Sequence, residues 1–144
     1  MIKTYKKAAV VMAKLSLKEI QNYQNEAVLH HFCFHEGHYS FDEALIFFQD
    51  LLSWMWLAKK RKDNGKKSHL FGPLLVLDKL WHSFILHTQS YLLFCEHYFG
   101  DYFHHEVEPI GFEHHLTQEE LSEYLGDCFD HLGEAWVRRY FNPE

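Results

Sequence analysis

The strongest chemical signal in the sequence is a pair of polar side chains one helical turn apart. Asp78 and His82 lie four residues apart in a segment that otherwise holds mainly Leu, Val, Trp and Ile, so on a helix they project from the same face. A carboxylate and an imidazole buried there must be paired, hydrogen-bonded or bound to a ligand, because an isolated buried charge is costly. The sequence therefore predicts either a mutually satisfied interior pair or a binding site.

Further potential metal ligands follow this pair along the chain. Cys95 lies in the next helical segment, and the adjacent residues His104 and His105 come after a glycine turn. Carboxylate, imidazole and thiolate are all ligands of first-row transition metals. We therefore predict a zinc or iron site formed by Asp78, His82, His104 and His105. Cys95 is the weaker candidate, since a cysteine in an apolar helix is more often a small buried side chain.

A second group of histidines lies earlier in the chain, at His30, His31, His35 and His38. His31 and His35 have the i, i+4 spacing found in many zinc sites. The H-E-x-x-H motif is absent, because Phe32-Cys33-Phe34 fills the interval and supplies no glutamate as a general base. We interpret this group as a partly exposed histidine face.

Helix-start signals indicate how these residues are positioned. The S/T-x-x-E pattern of a capping box occurs at Ser16–Glu19, Ser40–Glu43 and Thr117–Glu120, where each side chain satisfies an amide of the first turn. The first of these helices is expected to run to about His35 and to end at Gly37.

The middle of the chain predicts three more helical segments. The helix that begins at Ser40 is expected to run to about Lys62 and to stop at Asp63-Asn64-Gly65. Leu74–Leu86 is apolar nearly all round, which predicts a central, buried helix, with Pro73 in its first turn. A further helix is expected over Thr88–Tyr98.

The last third of the chain predicts a loop followed by one helix. Asp101–Leu116 is expected to be a loop, and the helix after it to run toward Phe141 with a break near Gly126 or Gly133. The expected fold class is all-α: an irregular bundle of four to six helices forming a single domain over residues 1–144.

Composition indicates a reduced, water-soluble globular protein. Aromatic residues make up 17% of the chain, which predicts a core built largely from rings. Three cysteines without a C-x-x-C pair argue against a disulfide framework and favour a cytoplasmic location. No signal peptide is expected, because the apolar stretch Ala8–Ala13 is short and Lys14 interrupts it. Leu45–Ala58 contains polar residues and falls short of the roughly 20 apolar residues that span a bilayer.

The net charge of −6 is unevenly distributed. From Glu96 onward there are twelve acidic residues and only two basic ones, both arginines, so nucleic acid is an improbable partner for the whole domain. A basic cluster lies between residues 59 and 67. The cluster is interpreted mainly as a solvated helix end, and binding to an anionic surface is the weaker alternative. The basic residues of the cluster are Lys59, Lys60, Arg61, Lys62, Lys66 and Lys67.

About thirty residues of this chain resemble a known family. The run Leu77-Asp78-Lys79-Leu80-Trp81-His82 and the later residues resemble the signature of the glycine-rich domain-containing protein-like family, which comprises small bacterial proteins and the N-terminal region of plant glycine-rich-domain proteins. The resemblance implies a shared helical fold and no particular activity. Phe84 departs from it, since members usually carry a second histidine there. The later matching residues are Ile85, Leu86, Thr88, Tyr91, Cys95, Phe99, Gly100, His104, His105, Leu132, Gly133 and Trp136.

Two functional hypotheses follow from these observations. No G-x-S-x-G elbow, P-loop or G-x-G-x-x-G occurs, so the leading hypothesis is a non-enzymatic helical module that binds a protein partner and holds a structural metal ion. The alternative is a metal-dependent enzyme that uses iron or zinc at Asp78, His82 and the His104–His105 pair, with an open coordination position for substrate.

Overall fold

The computed structural model describes residues 16–108, 110–111 and 114–142. Over these residues the secondary structure is helical, with seven α-helices, one short 3₁₀-helix and no strand. The all-α class is therefore confirmed, whereas the expected count of four to six helices is slightly low. The N-terminal stretch considered for a signal peptide lies outside the described residues. None of the described helices combines the length and apolar character needed to cross a membrane.

The described chain divides into two compact units, with the boundary between Tyr102 and Phe103. The first unit holds five α-helices and the 3₁₀-helix Gly72–Leu74. These helices are α1 (Leu17–Gln21), α2 (Glu26–Glu36), α3 (Phe41–Asp63), α4 (Leu75–Leu86) and α5 (Thr88–Phe99). The second unit holds α6 (Gln118–Leu132) and α7 (Glu134–Phe141), which pack against each other. That residues 1–144 form one domain remains a prediction.

The predicted caps explain where several helices begin and end. Capping boxes at Ser40 and Thr117 are confirmed, with both reciprocal hydrogen bonds present. Gly37 and Gly100 end α2 and α5 in the left-handed conformation, with φ of 67° and 71°. Because glycine has no Cβ, it adopts this conformation without strain.

The helix predicted from Ser16 to His35 is two helices. Asn22 ends α1, and Asn25 begins α2 by accepting a hydrogen bond from the Val28 amide. Between them Tyr23 turns into the core, where its ring centroid lies 4.8 Å from that of Phe94. The Asn25 side-chain amide also donates to the Tyr23 hydroxyl, at 3.1 Å. The interruption places a half-buried aromatic ring against the core.

The helix α4 is central in the first unit, as predicted, since it packs against α2, α3 and α5, but it is not buried on all sides, and α3 is the more buried helix. In α3 every residue from Asp50 to Ala58 is buried, and the helix packs against α1, α2 and α4. In α4, Leu75 and Leu86 are 48% and 67% exposed. Apolar residues on all sides of a helix do not force burial, because much of the surface of any protein is apolar.

Candidate metal centre

Asp78 and His82 do project from the same face of α4, as their spacing predicts. The Nδ1 atom of His82 lies 3.5 Å from Oδ2 of Asp78, and the two side chains are 55% and 24% exposed, respectively. The expectation that both groups lie in a dry interior is therefore wrong. They form a paired carboxylate and imidazole on the outer face of α4, open to solvent on the His82 side.

A second polar pair joins Lys79 of α4 to Glu36 of α2. Nζ of Lys79 lies 3.5 Å from a carboxylate oxygen of Glu36 at the end of α2. This ion pair connects α2 to α4, although its exposure limits its contribution to stability to about 0–1 kcal/mol.

The His104–His105 pair belongs to the second unit and precedes α6 in an irregular segment. His104 is exposed, whereas His105 is half-buried. Asp78 and His82, by contrast, belong to the first unit.

Cys95 is fully buried in α5. Its side chain makes a hydrogen-bonding contact with the hydroxyl of Tyr91, one turn earlier on the same helix. The Tyr91 hydroxyl also accepts a hydrogen bond from Nε1 of Trp81, at 3.0 Å. Cys95 therefore takes part in a buried polar contact, in keeping with its weaker standing as a ligand candidate.

The early histidine group is only partly a single cluster. His30 packs against Phe41, with ring centroids 4.9 Å apart, and His38 packs against Tyr39, at 4.2 Å. His31 and His35, by contrast, face each other at 4.3 Å. The interpretation of a partly exposed histidine face agrees with this burial, since His30, His35 and His38 are exposed and His31 is half-buried.

The sequence analysis did not single out His87 as a member of this histidine group. His87, at the end of α4, places its ring edge against His31 with centroids 5.3 Å apart. Nδ1 of His87 lies 2.8 Å from the Ser83 carbonyl oxygen, and Nδ1 of His31 lies 3.1 Å from the Ser83 hydroxyl. Burial, followed by the proximity of His35 and His87, lowers the pKa of His31. The available signal was the Ser83-x3-His87 spacing, which places both residues on one face of the helix.

The basic cluster is not uniformly available to an anion. Arg61 is buried, and its Nε and Nη2 donate to the Lys67 carbonyl oxygen at 3.1 and 2.8 Å. Lys59 pairs with Asp63 at 3.1 Å, and the ammonium of Lys60 lies 4.4 Å from the centroid of the Trp56 ring. Much of this positive charge is therefore engaged within the chain at the end of α3.

These features define a small all-α protein with potential transition-metal ligands on an exposed helix face. The chain belongs to the UCP032817-like family, whose model matches residues 15–122. The resemblance to the glycine-rich domain-containing protein-like family is therefore wrong as an assignment. The residues that carried that resemblance lie largely in α4, α5 and the turn at Gly100. No curated protein and no solved structure matches the chain.

Proposed function

We propose that this protein is a helical module that binds a transition-metal ion, zinc or ferrous iron, through Asp78, His82 and His105. The observation that carries the proposal is that Asp78 and His82 lie on one face of α4 with donor atoms 3.5 Å apart. His105 is the further ligand that the proposal adds to this pair. His104, the fourth predicted ligand, is left for experiment to decide.

The chemistry of these donors supports zinc or iron. One carboxylate and two imidazoles are the ligand set of two-histidine-one-carboxylate iron sites and of several zinc sites. Three protein ligands leave at least one coordination position for water or another ligand. The exposure of His82, at 55%, gives such a ligand access from solvent.

The metal content of untagged protein, purified without affinity metal and then incubated with Zn²⁺ or Fe²⁺, tests this proposal. We expect Asp78→Asn, His82→Ala or His105→Ala to bind one ion per chain fewer than wild type, or to bind that ion at least tenfold more weakly. His97→Ala, which removes an exposed histidine from α5, is the matched control and should leave binding unchanged. His104→Ala shows whether the fourth predicted ligand takes part. A metal content equal to that of wild type in both Asp78→Asn and His82→Ala would contradict the proposal.

Docking to a protein partner is the role that the exposed face of α4 favours for such a module. Leu75 and Leu86 are 48% and 67% exposed and lie seven residues before and four residues after His82, so all three share one helix face. An exposed apolar stripe around a polar centre is typical of a recognition surface. The double variant Leu75→Ser/Leu86→Ser should abolish partner capture that wild-type protein shows in native extract. Equal capture by the wild type and the double variant would exclude this face as the docking surface.

The second candidate is a metal-dependent enzyme, which the open coordination position favours. The discriminating measurement is the visible spectrum of Co²⁺-substituted protein in the presence of small-molecule anions. A substrate that enters the coordination sphere changes this spectrum, whereas a closed structural site does not respond. An unchanged spectrum across a panel of carboxylates and phosphates would exclude the enzyme and leave a structural role for the metal.

A further inference from the structure

We propose that His31, His35 and His87 form a second transition-metal site, suited to Zn²⁺, between α2 and the C-terminal end of α4. This site shares no residue with Asp78, His82 and His105 and lies entirely within the first unit. It goes beyond the function proposed above, because neither proposal depends on the other.

Two of the ring separations lie near the value that zinc coordination requires. With Zn–N bonds of about 2.0–2.1 Å in tetrahedral geometry, adding the ring radius places the centroids of two coordinating imidazoles about 5 Å apart. The observed centroid separations are 4.3 Å for His31 and His35 and 5.3 Å for His31 and His87. Both values lie near this distance, and the exposed His35 ring must rotate to bring all three donor nitrogens together.

Ser83 fixes the orientation of two of the rings. Because a carbonyl oxygen only accepts hydrogen bonds, Nδ1 of His87 must carry its hydrogen when it contacts the Ser83 carbonyl at 2.8 Å. The Nε2 atom of a neutral His87 is therefore a lone-pair donor. The Ser83 hydroxyl engages Nδ1 of His31 at 3.1 Å and leaves Nε2 of that ring for a metal. Histidine ligands commonly hold their second nitrogen in this way, which fixes the tautomer and raises ligand basicity.

The positions of the ligands on the helices favour a defined site. His31 and His35 are one turn apart on α2, and His87 is the residue that joins α4 to α5. The helices α2 and α4 pack directly against each other, so His31 and His87 are held by two rigid elements. His35 is exposed, and its ring can rotate about its side-chain bonds to complete the coordination.

Zinc binding to a background variant, Asp78→Asn/His82→Ala, tests the second site in isolation. Affinity is measured by competition with a chromophoric zinc chelator at neutral pH. We expect the background variant to bind one Zn²⁺, and His31→Ala, His35→Ala or His87→Ala in this background to raise Kd more than about tenfold. Ser83→Ala keeps the carbonyl but removes the hydroxyl, and should raise Kd about tenfold. His30→Ala is the matched control on α2 and should have no effect.

Two further features keep the test decisive. His35 is exposed, so His35→Ala is expected to fold even if a variant of a half-buried histidine does not. Long-range ¹H–¹⁵N spectra of the histidine rings should show Zn²⁺ at Nε2 of His87 with Nδ1 still protonated. A background variant that binds no zinc, or whose binding is insensitive to His35→Ala and His87→Ala, would overturn this site and leave the Asp78–His82–His105 proposal untouched. Conversely, wild-type and background proteins that bind zinc identically would remove the first site and retain the second.

Discussion

The indole nitrogen of Trp81 on α4 donates a hydrogen bond to the hydroxyl of Tyr91 on α5, at 3.0 Å in the buried core. The same hydroxyl contacts the side chain of Cys95. This small polar network satisfies groups that would otherwise be buried without compensation, and it links two consecutive helices.

Removal of the Tyr91 hydroxyl should therefore destabilise the protein. Tyr91→Phe keeps the ring but deprives buried Trp81 Nε1 of its acceptor, and we expect a loss of about 1–3 kcal/mol in the free energy of unfolding. Urea denaturation measures this loss. Tyr39→Phe, which retains the stacking of that ring on Phe32, is the control and should stay within about 0.5 kcal/mol of wild type. Equal effects of the two substitutions would show that the network contributes nothing.

The same residue should make stability sensitive to alkaline pH. Burial raises the pKa of Tyr91 well above its ordinary value of 10.0. Above about pH 10 the unfolded chain loses this proton while the folded chain keeps it, so the free energy of unfolding falls as pH rises. Denaturation curves between neutral and alkaline pH should show this decline, and Tyr91→Phe should make it shallower. An identical slope in the two proteins would contradict the assignment.

Asn25 should be the more important of the two asparagines that flank Tyr23. Its side chain caps α2 and also donates to the Tyr23 hydroxyl, so Asn25→Ala removes two hydrogen bonds. We expect a loss of about 1–2 kcal/mol in unfolding free energy. Asn22→Ala alters an exposed residue at the end of α1 and should cost less than about 0.5 kcal/mol. Equal losses of unfolding free energy for Asn25→Ala and Asn22→Ala would contradict this prediction.

The sequence predicted those parts of the fold that depend on local chemistry. The capping boxes at Ser40 and Thr117 and the glycine ends at Gly37 and Gly100 depend on residues within one turn, and all four are confirmed. The break at Asn22–Asn25 was missed because its cause is tertiary: Tyr23 enters an aromatic core contributed by α3, α4 and α5. The Asn25 cap was a readable signal, but the amphipathic pattern continued across it.

The candidate site was predictable in residue type and spacing, and not in burial. The i, i+4 relation correctly placed Asp78 and His82 on one face, but an apolar neighbourhood in sequence gave no information on which side of α4 faces solvent. His87 was missed for the opposite reason. Its approach to His31 depends on the packing of α2 against α4, since the two residues are far apart in the chain.

The start of α6 should respond to acid. A backbone hydrogen bond with Thr117, followed by the side chain of His114, lowers the pKa of Glu120. A group with a lowered folded-state pKa stabilises the fold above its unfolded value and loses this contribution as pH falls through the folded value. We expect the Thr117 and Glu120 amide signals to shift together with the Glu120 carboxyl titration, below the ordinary glutamate range. Glu120→Gln should abolish that titration while α6 persists, and a Glu120 titration at the ordinary glutamate pKa would contradict the proposed cap.

Two glycines should respond to alanine in opposite directions. Gly37 has a φ of 67° at the end of α2, and Gly126 lies inside α6; a Cβ added at either position meets nothing within 4 Å. Backbone conformation alone therefore decides the outcome. Gly37→Ala should lower the free energy of unfolding by about 1–2 kcal/mol, because alanine is strained in the left-handed region. Gly126→Ala should raise helix stability by about 0.5–1 kcal/mol, because alanine loses less entropy than glycine on entering a helix. Thermal denaturation of both variants measures the signs, and the same sign for both would show that local conformation does not control these positions.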